Sequence, residues 1–149
     1  TESDYQTRLA QLLCDGGADL IIGTHPHVLQ PMKWLEREDG HKTLCAYSLG
    51  NFISNQHKRV TMLGGILEVE LLFDEDGTLL ETTSAGVIPT VTHYKKGYYT
   101  IYQLSEYNDE LAGVHAIRNY ETPFNMDYLN GLSQKILGES AITWEGEHD

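Results

Sequence analysis

The stretch ADLIIGTHPHVLQ, residues 18–30, decides the fold of this 149-residue chain. Its segment Leu20-Ile21-Ile22 is short and wholly apolar, which is typical of a strand buried on both faces. Gly23 follows directly, and then come two histidines separated by one proline. The stretch therefore predicts a buried strand whose carboxyl end carries polar, chemically versatile side chains.

The two histidines, His25 and His27, are predicted to point the same way. An extended backbone places residues i and i+2 on one side, and Pro26 disfavours the helical region for the residue before it. Open α/β sheets bind ligands beyond the carboxyl ends of their strands, and neutral imidazole is a common metal ligand. We therefore predict that the pair ligates one metal ion or two neighbouring ions. The alternative is a structural pair, each imidazole donating to backbone carbonyls around the proline turn.

A second motif, YSLGNFISNQ at residues 47–56, has the composition of a loop that lines a site. Gly50 frees the backbone, and neutral hydrogen-bonding side chains cluster around it. They are Ser48, Asn51, Asn55 and Gln56. An ordinary Gly-Asn turn, in which the amides cap backbone groups, explains the composition equally well.

Charge and composition exclude several classes of function. Ten basic residues against 22 acidic ones leave a net charge of −12, which argues against nucleic acid or an anionic membrane as the main partner. The length is that of one ordinary domain, and 40% hydrophobic residues are enough for a core. No apolar run approaches the roughly 20 residues that span a bilayer. Cys14 and Cys45 are predicted to be buried apolar residues.

The remaining chain alternates helical and strand patterns. Ser3 and Gln6 have the spacing of a capping box, and Gly16-Gly17 supplies a left-handed stop for the helix that follows. Tyr5, Leu9, Leu12 and Leu13 form one apolar stripe on this helix. Strand patterns cover 20–22, 63–73, 78–88 and 98–104, and a hairpin spans 32–47. Helices are predicted over 105–118 and from Thr122-Pro123, with proline at the first helical position.

Other histidines receive simpler interpretations. His93 lies far along the chain from the pair and is predicted to be a satisfied structural histidine. His57-Lys58-Arg59 is a small basic cluster that could attract a phosphate or a carboxylate, but three residues do not distinguish it from a solvated loop. We divide the chain into one domain over residues 1–138 and an acidic tail, expected to fray, over 139–149.

Residues 17–31, GADLIIGTHPHVLQP, followed by YSLGNF at 47–52, resemble the CapA family of bacterial capsule synthesis proteins, which is associated with poly-γ-glutamate. The resemblance is strong over 6–56, moderate to 104 and absent after about 108. It implies a fold related to calcineurin-like metallophosphoesterases, an α/β sandwich of two sheets with a metal centre at the strand ends. His25 and His27 match the two histidines of that superfamily's Gly-His-x-His motif, although this chain has one extra residue after the glycine.

The resemblance also implies an activity and a location. Family members carry aspartate and histidine motifs ahead of the helix that opens this chain. This chain lacks those motifs, so we expect it to be the carboxyl-terminal part of the domain. The intact protein is expected to be a metal-dependent phosphoesterase in capsule synthesis, with a divalent ion (Mn, Zn, Fe or Mg) at His25 and His27. Asn51 and Ser48 are the predicted catalytic polar residues, and Asn55 and Gln56 the predicted substrate-binding ones.

The expected partners are an anionic capsule polymer or a phosphoester substrate and other capsule synthesis or export proteins, but not nucleic acid. The expected location is the cell envelope or its extracellular face, with the parent protein anchored in the membrane. The alternative function is a non-catalytic component that binds the polymer or acts as a scaffold in a capsule assembly complex.

Overall fold

A computed structural model describes residues 1–144 and shows a first sheet of three strands beside one helix. Helix α1 spans Asp4–Asp15, and strands β1, β2 and β3 span Leu20–Ile22, Met32–Glu36 and Lys42–Ala46. The sheet order is β1-β3-β2, with β1 parallel and β2 antiparallel to β3. The predicted strand and hairpin are confirmed. The predicted burial of β1 is wrong, because β1 lies at the edge of the sheet, with Leu20 and Ile21 half-buried and Ile22 52% exposed.

Helix α1 begins and ends where its sequence predicts. The Ser3 side chain accepts a hydrogen bond from the Gln6 N–H, and the Gln6 side chain accepts from the Ser3 N–H in return. Gly17 has φ +92°, a conformation that glycine adopts without steric cost and that stops the helix. The capping box and the left-handed stop are both confirmed.

The apolar stripe of α1 lies mostly outside the core. Such a stripe normally faces a core, yet Tyr5 and Leu12 are 69% and 66% exposed, while Ala10 and Cys14 are buried. The helix therefore packs on the first sheet through small side chains. Its larger apolar residues remain on the surface of the described chain.

A second sheet follows, built from three long antiparallel strands in the order β4-β5-β6. Strand β4 spans Leu63–Phe73, β5 spans Leu79–Lys95 and β6 spans Tyr98–Gln103. Along the middle of β4 the apolar residues are half-buried and Glu68 and Glu70 are exposed, as alternation predicts. The β5 strand is longer than predicted, because it continues past Ile88 through Pro89 to Lys95.

The helices that cover this sheet are shorter than their sequence pattern indicates. Helix α2 spans only Asp109–Val114, and short 3₁₀ turns flank it. Helix α3 spans Met126–Leu137 and does not start at Pro123, so that predicted start is wrong. Asn125 caps α3, because its side-chain oxygen accepts a hydrogen bond from the Tyr128 N–H. The proline side chain has no acceptor that could cap a free N–H of the first turn.

The main core lies between the second sheet and these helices. Phe124, Leu129, Leu63 and Val91 are fully buried in it. The predicted fraying beyond Gly138 is wrong as far as Ile142, whose N–H donates to the Val87 carbonyl at 2.9 Å. The end of the predicted tail, 145–149, lies outside the described residues.

The two sheets and their helices form a mixed α/β fold, as expected for part of an α/β domain. Over residues 1–144, every helix is too short or too polar to cross a bilayer. Both cysteines are buried free thiols, as predicted.

Candidate functional site

The candidate site begins where β1 ends. The Gly23 N–H donates to the Ala46 carbonyl at 2.8 Å, and the glycine lies directly against the Tyr47 backbone. A side chain on residue 23 would collide with the Tyr47 carbonyl, so only glycine fits this approach. The close contact holds the start of the histidine turn against the strand that leads into the 47–56 loop.

The backbone of the histidine turn is bent, so the predicted extended conformation is wrong. His25 and His27 have φ +97° and +60°. Proline favours extended backbone with negative φ for the preceding residue, so at His25 the contacts of the turn override this local preference. The chain must turn back here because Leu29 pairs with Leu49 and the Gln30 N–H donates to the Ser48 carbonyl at 2.9 Å.

The two imidazoles are nevertheless close together. Their ring centroids lie 6.4 Å apart with the planes inclined at 43°, and both side chains are exposed. Two imidazoles bound to one tetrahedral ion at about 2.1 Å would have centroids about 5 Å apart. The two rings therefore lie about 1 Å farther apart than two ligands of one such ion.

Asn51 determines which nitrogen of His27 is available. The Asn51 Nδ2 group donates to the carbonyls of His27 and Thr61 at 3.1 and 3.3 Å, so its Oδ1 is the acceptor that faces the ring. His27 Nδ1 lies 2.8 Å from that oxygen and therefore carries the proton. In the neutral ring Nε2 is left with its lone pair, which is the arrangement of metal-binding histidines.

The second sheet holds Asn51 in this orientation. Asn51 is only 7% exposed. Gly64 at the start of β4 lies against the Asn51 backbone carbonyl, and a side chain on residue 64 would collide with that oxygen. Thr92 of β5 donates from Oγ1 to the Phe52 carbonyl at 3.0 Å. Thr61, which accepts from Asn51, was missed in the sequence because it lies outside both motifs in a short 3₁₀ turn.

The other predicted site residues divide into two groups. Ser48 is buried, and its Oγ accepts from the Gly50 N–H at 3.2 Å. Asn55 and Gln56 lie in an open groove beside the histidine turn, where Asn55 Oδ1 accepts from the Tyr99 hydroxyl at 2.9 Å. Their predicted catalytic and substrate-binding roles remain predictions, as does that of Asn51.

The donor chemistry at the turn fits a divalent ion, but the donor set is incomplete. Within residues 1–144, no three histidine, cysteine, aspartate or glutamate side chains are gathered closely enough to hold one ion. Burial raises the pKa of the Cys45 thiol to about 11, which keeps it protonated. A catalytic zinc site generally uses three protein ligands, and the histidine pair would supply two of them.

A second histidine cluster lies inside the main core. His93 Nδ1 is 2.7 Å from the Tyr107 hydroxyl, and the His115 ring stands edge-on to it at 5.0 Å between centroids. Burial, together with His115 nearby, lowers the pKa of His93 to about 4, and burial also lowers the pKa of His115. Both imidazoles are therefore neutral at pH 7, in agreement with a structural role for His93.

Together, the two small sheets and their helices define part of an α/β domain, and the histidine turn with its buried asparagine is the candidate site on it. Residues 1–56 match the family model described as "Bacterial capsule synthesis protein PGA_cap". This match confirms the predicted resemblance of the segment to the CapA family of capsule synthesis proteins.

Two curated relatives share this segment. The chain is 46% identical over 54 residues to the PGA biosynthesis protein CapA of Bacillus subtilis (strain 168), an alignment that covers 36% of this chain and 13% of the relative. It is 46% identical over 55 residues to the capsule biosynthesis protein CapA of Bacillus anthracis, an alignment that covers 36% of this chain and 12% of that relative. No solved structure matches the chain.

Proposed function

We propose that the protein is a capsule (poly-γ-glutamate) biosynthesis component whose histidine turn supplies two ligands to a divalent metal ion. When the site is complete, the protein hydrolyses a phosphoester. The observation that supports this most is the 2.8 Å bond between His27 Nδ1 and Asn51, which leaves Nε2 free to bind an ion. The segment that matches the capsule family, 1–56, contains both residues.

Each residue of the turn has a distinct task in this proposal. His27 binds the ion through Nε2, and exposed His25 rotates to supply the second nitrogen. Asn51 is a positioning residue that holds the ring of His27 in one tautomer. A divalent ion (Mn, Zn, Fe or Mg), when bound, polarises a phosphoryl oxygen and lowers the pKa of a bound water. It would also offset the net charge of −12 that otherwise repels an anionic substrate.

A second candidate function is binding of the capsule polymer without hydrolysis. It requires only the imidazoles and neighbouring amides that residues 1–144 supply, whereas a catalytic zinc site generally uses a third protein ligand. Both relatives are named as biosynthesis proteins. In this version the site holds an anionic polymer for other capsule synthesis or export proteins.

Metal titration of the 149-residue chain tests the shared part of both candidates. We expect Mn²⁺ or Zn²⁺ affinity, measured by calorimetry, to fall at least tenfold in a His25→Ala, His27→Ala double variant. The matched control is His57→Ala, another exposed histidine, which should leave affinity unchanged. Equal affinity of the double variant and the parent chain would refute the metal role.

The tautomer of His27 gives an independent readout. Histidine ¹⁵N NMR of the metal-free chain should show His27 protonated at Nδ1 when the ring is neutral. Asn51→Ala should release this preference and weaken metal binding by about tenfold, while Asn55→Ala should change neither. A His27 ring already protonated at Nε2 in the parent chain would contradict the proposed geometry.

Hydrolysis separates the two candidates. A metal-dependent rate on bis(p-nitrophenyl) phosphate that is lost in the double variant supports the phosphoesterase. Metal binding through the pair without any such rate favours the polymer-binding function.

The proposal also includes a location for the parent protein, the cell envelope or its extracellular face, held there by a membrane anchor. Its support is the family alone. Fractionation of cells that express the parent protein tests it, and recovery in the cytoplasmic fraction would contradict it.

A further inference from the structure

A groove borders the histidine turn, and its lining combines residues of the segment that matches the capsule family with residues beyond it. Pro26 and Val28, the two neighbours of His27, line it together with residues 55–58. Tyr120 and Glu121 also line the groove, which has a volume of about 600 Å³. A ligand bound at the histidines can therefore extend into it.

Lys58 brings an unpaired positive charge to this groove. The side chain is exposed, and the ion pairs found within residues 1–144 involve Lys33, Arg37 and His41 but not Lys58. The acidic residue of the groove, Glu121, accepts the Arg59 N–H at 2.7 Å. The Lys58 ammonium is therefore available to an anionic ligand. It supplies a local positive charge on a chain whose net charge is −12.

Neutral donors and a flat aromatic surface accompany this charge. Asn55 uses its Oδ1 to accept from the Tyr99 hydroxyl, which leaves its Nδ2 hydrogens as donors. Gln56 also lines the groove. The His57 ring stacks on Tyr120 with centroids 4.2 Å apart and planes 11° from parallel, which stiffens the segment that carries Lys58.

We infer that this groove is an anion subsite, which binds a phosphate or carboxylate group of an extended ligand whose next unit lies at His25 and His27. Lys58 supplies the charge, and the amides of Asn55 and Gln56 donate hydrogen bonds. The inference rests on the proposed function, since it assumes that the histidine turn is the reactive or binding end. It assigns a role to the basic cluster that its sequence alone does not reveal.

An NMR titration of the metal-free 149-residue chain tests the subsite at constant ionic strength. The probes are inorganic phosphate and a γ-linked glutamate oligomer, and the readout is the saturable shift of the His57, Lys58 and Tyr120 amide signals. Lys58→Gln should weaken the binding of the effective probe at least fivefold. The matched control, Lys96→Gln, alters an exposed lysine in the turn between β5 and β6 and should change nothing.

The outcomes separate the subsite from the metal proposal. The His25→Ala, His27→Ala double variant should keep the shifts at Lys58, so loss of metal binding leaves this test intact. The stronger probe identifies whether phosphate or carboxylate is the natural group. Absence of a saturable shift with both probes, or equal weakening by Lys58→Gln and Lys96→Gln, would overturn the subsite.

Discussion

The two sheets differ in how much of their apolar surface the described chain buries. The second sheet and its helices enclose the main core, in which Phe124 and Leu129 are fully buried. The first sheet shares a small cluster of three buried side chains with α1, whose larger apolar residues stay exposed. The segment that matches the capsule family therefore carries the candidate chemistry, whereas the unmatched segment supplies most of the hydrophobic stabilisation.

This difference explains why the site depends on both parts. The histidine turn belongs to the first sheet, but Asn51 is oriented by Thr61 and packed against Gly64, which lead into the second sheet. A motif recognised in one segment thus takes its geometry from the other. The predictions below test this division.

Truncation of a core side chain should have the largest effect. Phe124→Ala removes a fully buried ring and should lower the free energy of unfolding by about 3–5 kcal/mol, measured by urea denaturation. The matched control is Phe52→Ala in the capsule-family segment, where the ring is 59% exposed and the cost should stay below about 1 kcal/mol. Equal costs would contradict the proposed division of stability.

Crowding the start of the histidine turn should have the next largest effect. Gly23→Ala forces a methyl group against the Tyr47 carbonyl and should destabilise the chain by about 1–3 kcal/mol. Gly113→Ala is the control, because its new methyl group meets open space in helix α2 and should stabilise by about 0.5–1 kcal/mol. Thermal unfolding measures both, and a neutral Gly23→Ala would show that the close approach is dispensable.

Acid should destabilise the second sheet through its buried histidines. The folded-state pKa of His93 is lowered to about 4, whereas an unfolded histidine has a pKa of about 6.5. Below pH 6.5 the unfolded state takes up a proton that the folded state does not, so stability falls as the pH drops toward 4. This contribution is constant above pH 6.5, and its slope is at most about 1.4 kcal/mol per pH unit.

Urea denaturation at a series of pH values measures that slope. His93→Gln should make it shallower, since glutamine does not titrate, whereas His57→Gln at an exposed site should leave it nearly unchanged. An unaltered slope in His93→Gln would show that this imidazole does not govern the acid response.

The smallest effect should come from the stripe of α1. Leu12→Ala changes a side chain that is 66% exposed and should alter the free energy of unfolding by no more than about 0.5 kcal/mol. Ala10→Gly on the buried side of the same helix provides the contrast, costing about 1 kcal/mol from helix propensity alone. If Leu12→Ala lowered the free energy of unfolding by more than about 2 kcal/mol in urea denaturation, the Leu12 side chain would have to be buried in a packed contact.

Local patterns predicted much of the fold. The capping box of α1, the apolar β1 strand, the hairpin and the β4 strand are all local signals, and the structure contains each of them. The start of α3 was mispredicted because Pro123 is a good first helical residue in isolation, while the cap is formed by Asn125. Local preference gave way there to a better hydrogen-bond acceptor.

The candidate site was predicted in its residues but not in its geometry. His25, His27 and Asn51 were all identified from their motifs, and the structure brings His27 and Asn51 into direct contact. The positive φ at both histidines could not be derived, because it results from pairing of Leu29 with Leu49 across the loop. The groove beside the histidine turn joins Pro26 and Val28 to Tyr120 and Glu121, a separation that no local pattern encodes.

By itself, the sequence determined which residues form the strands, the first helix and the histidine motif, because periodicity, caps and glycine act over a few neighbouring positions. Only the tertiary structure decided which ring nitrogen of His27 is free, which side of α1 is buried and what lies beside Lys58. These depend on contacts between residues distant in the chain, since a hydrogen bond or a packed surface is defined by where the backbone returns.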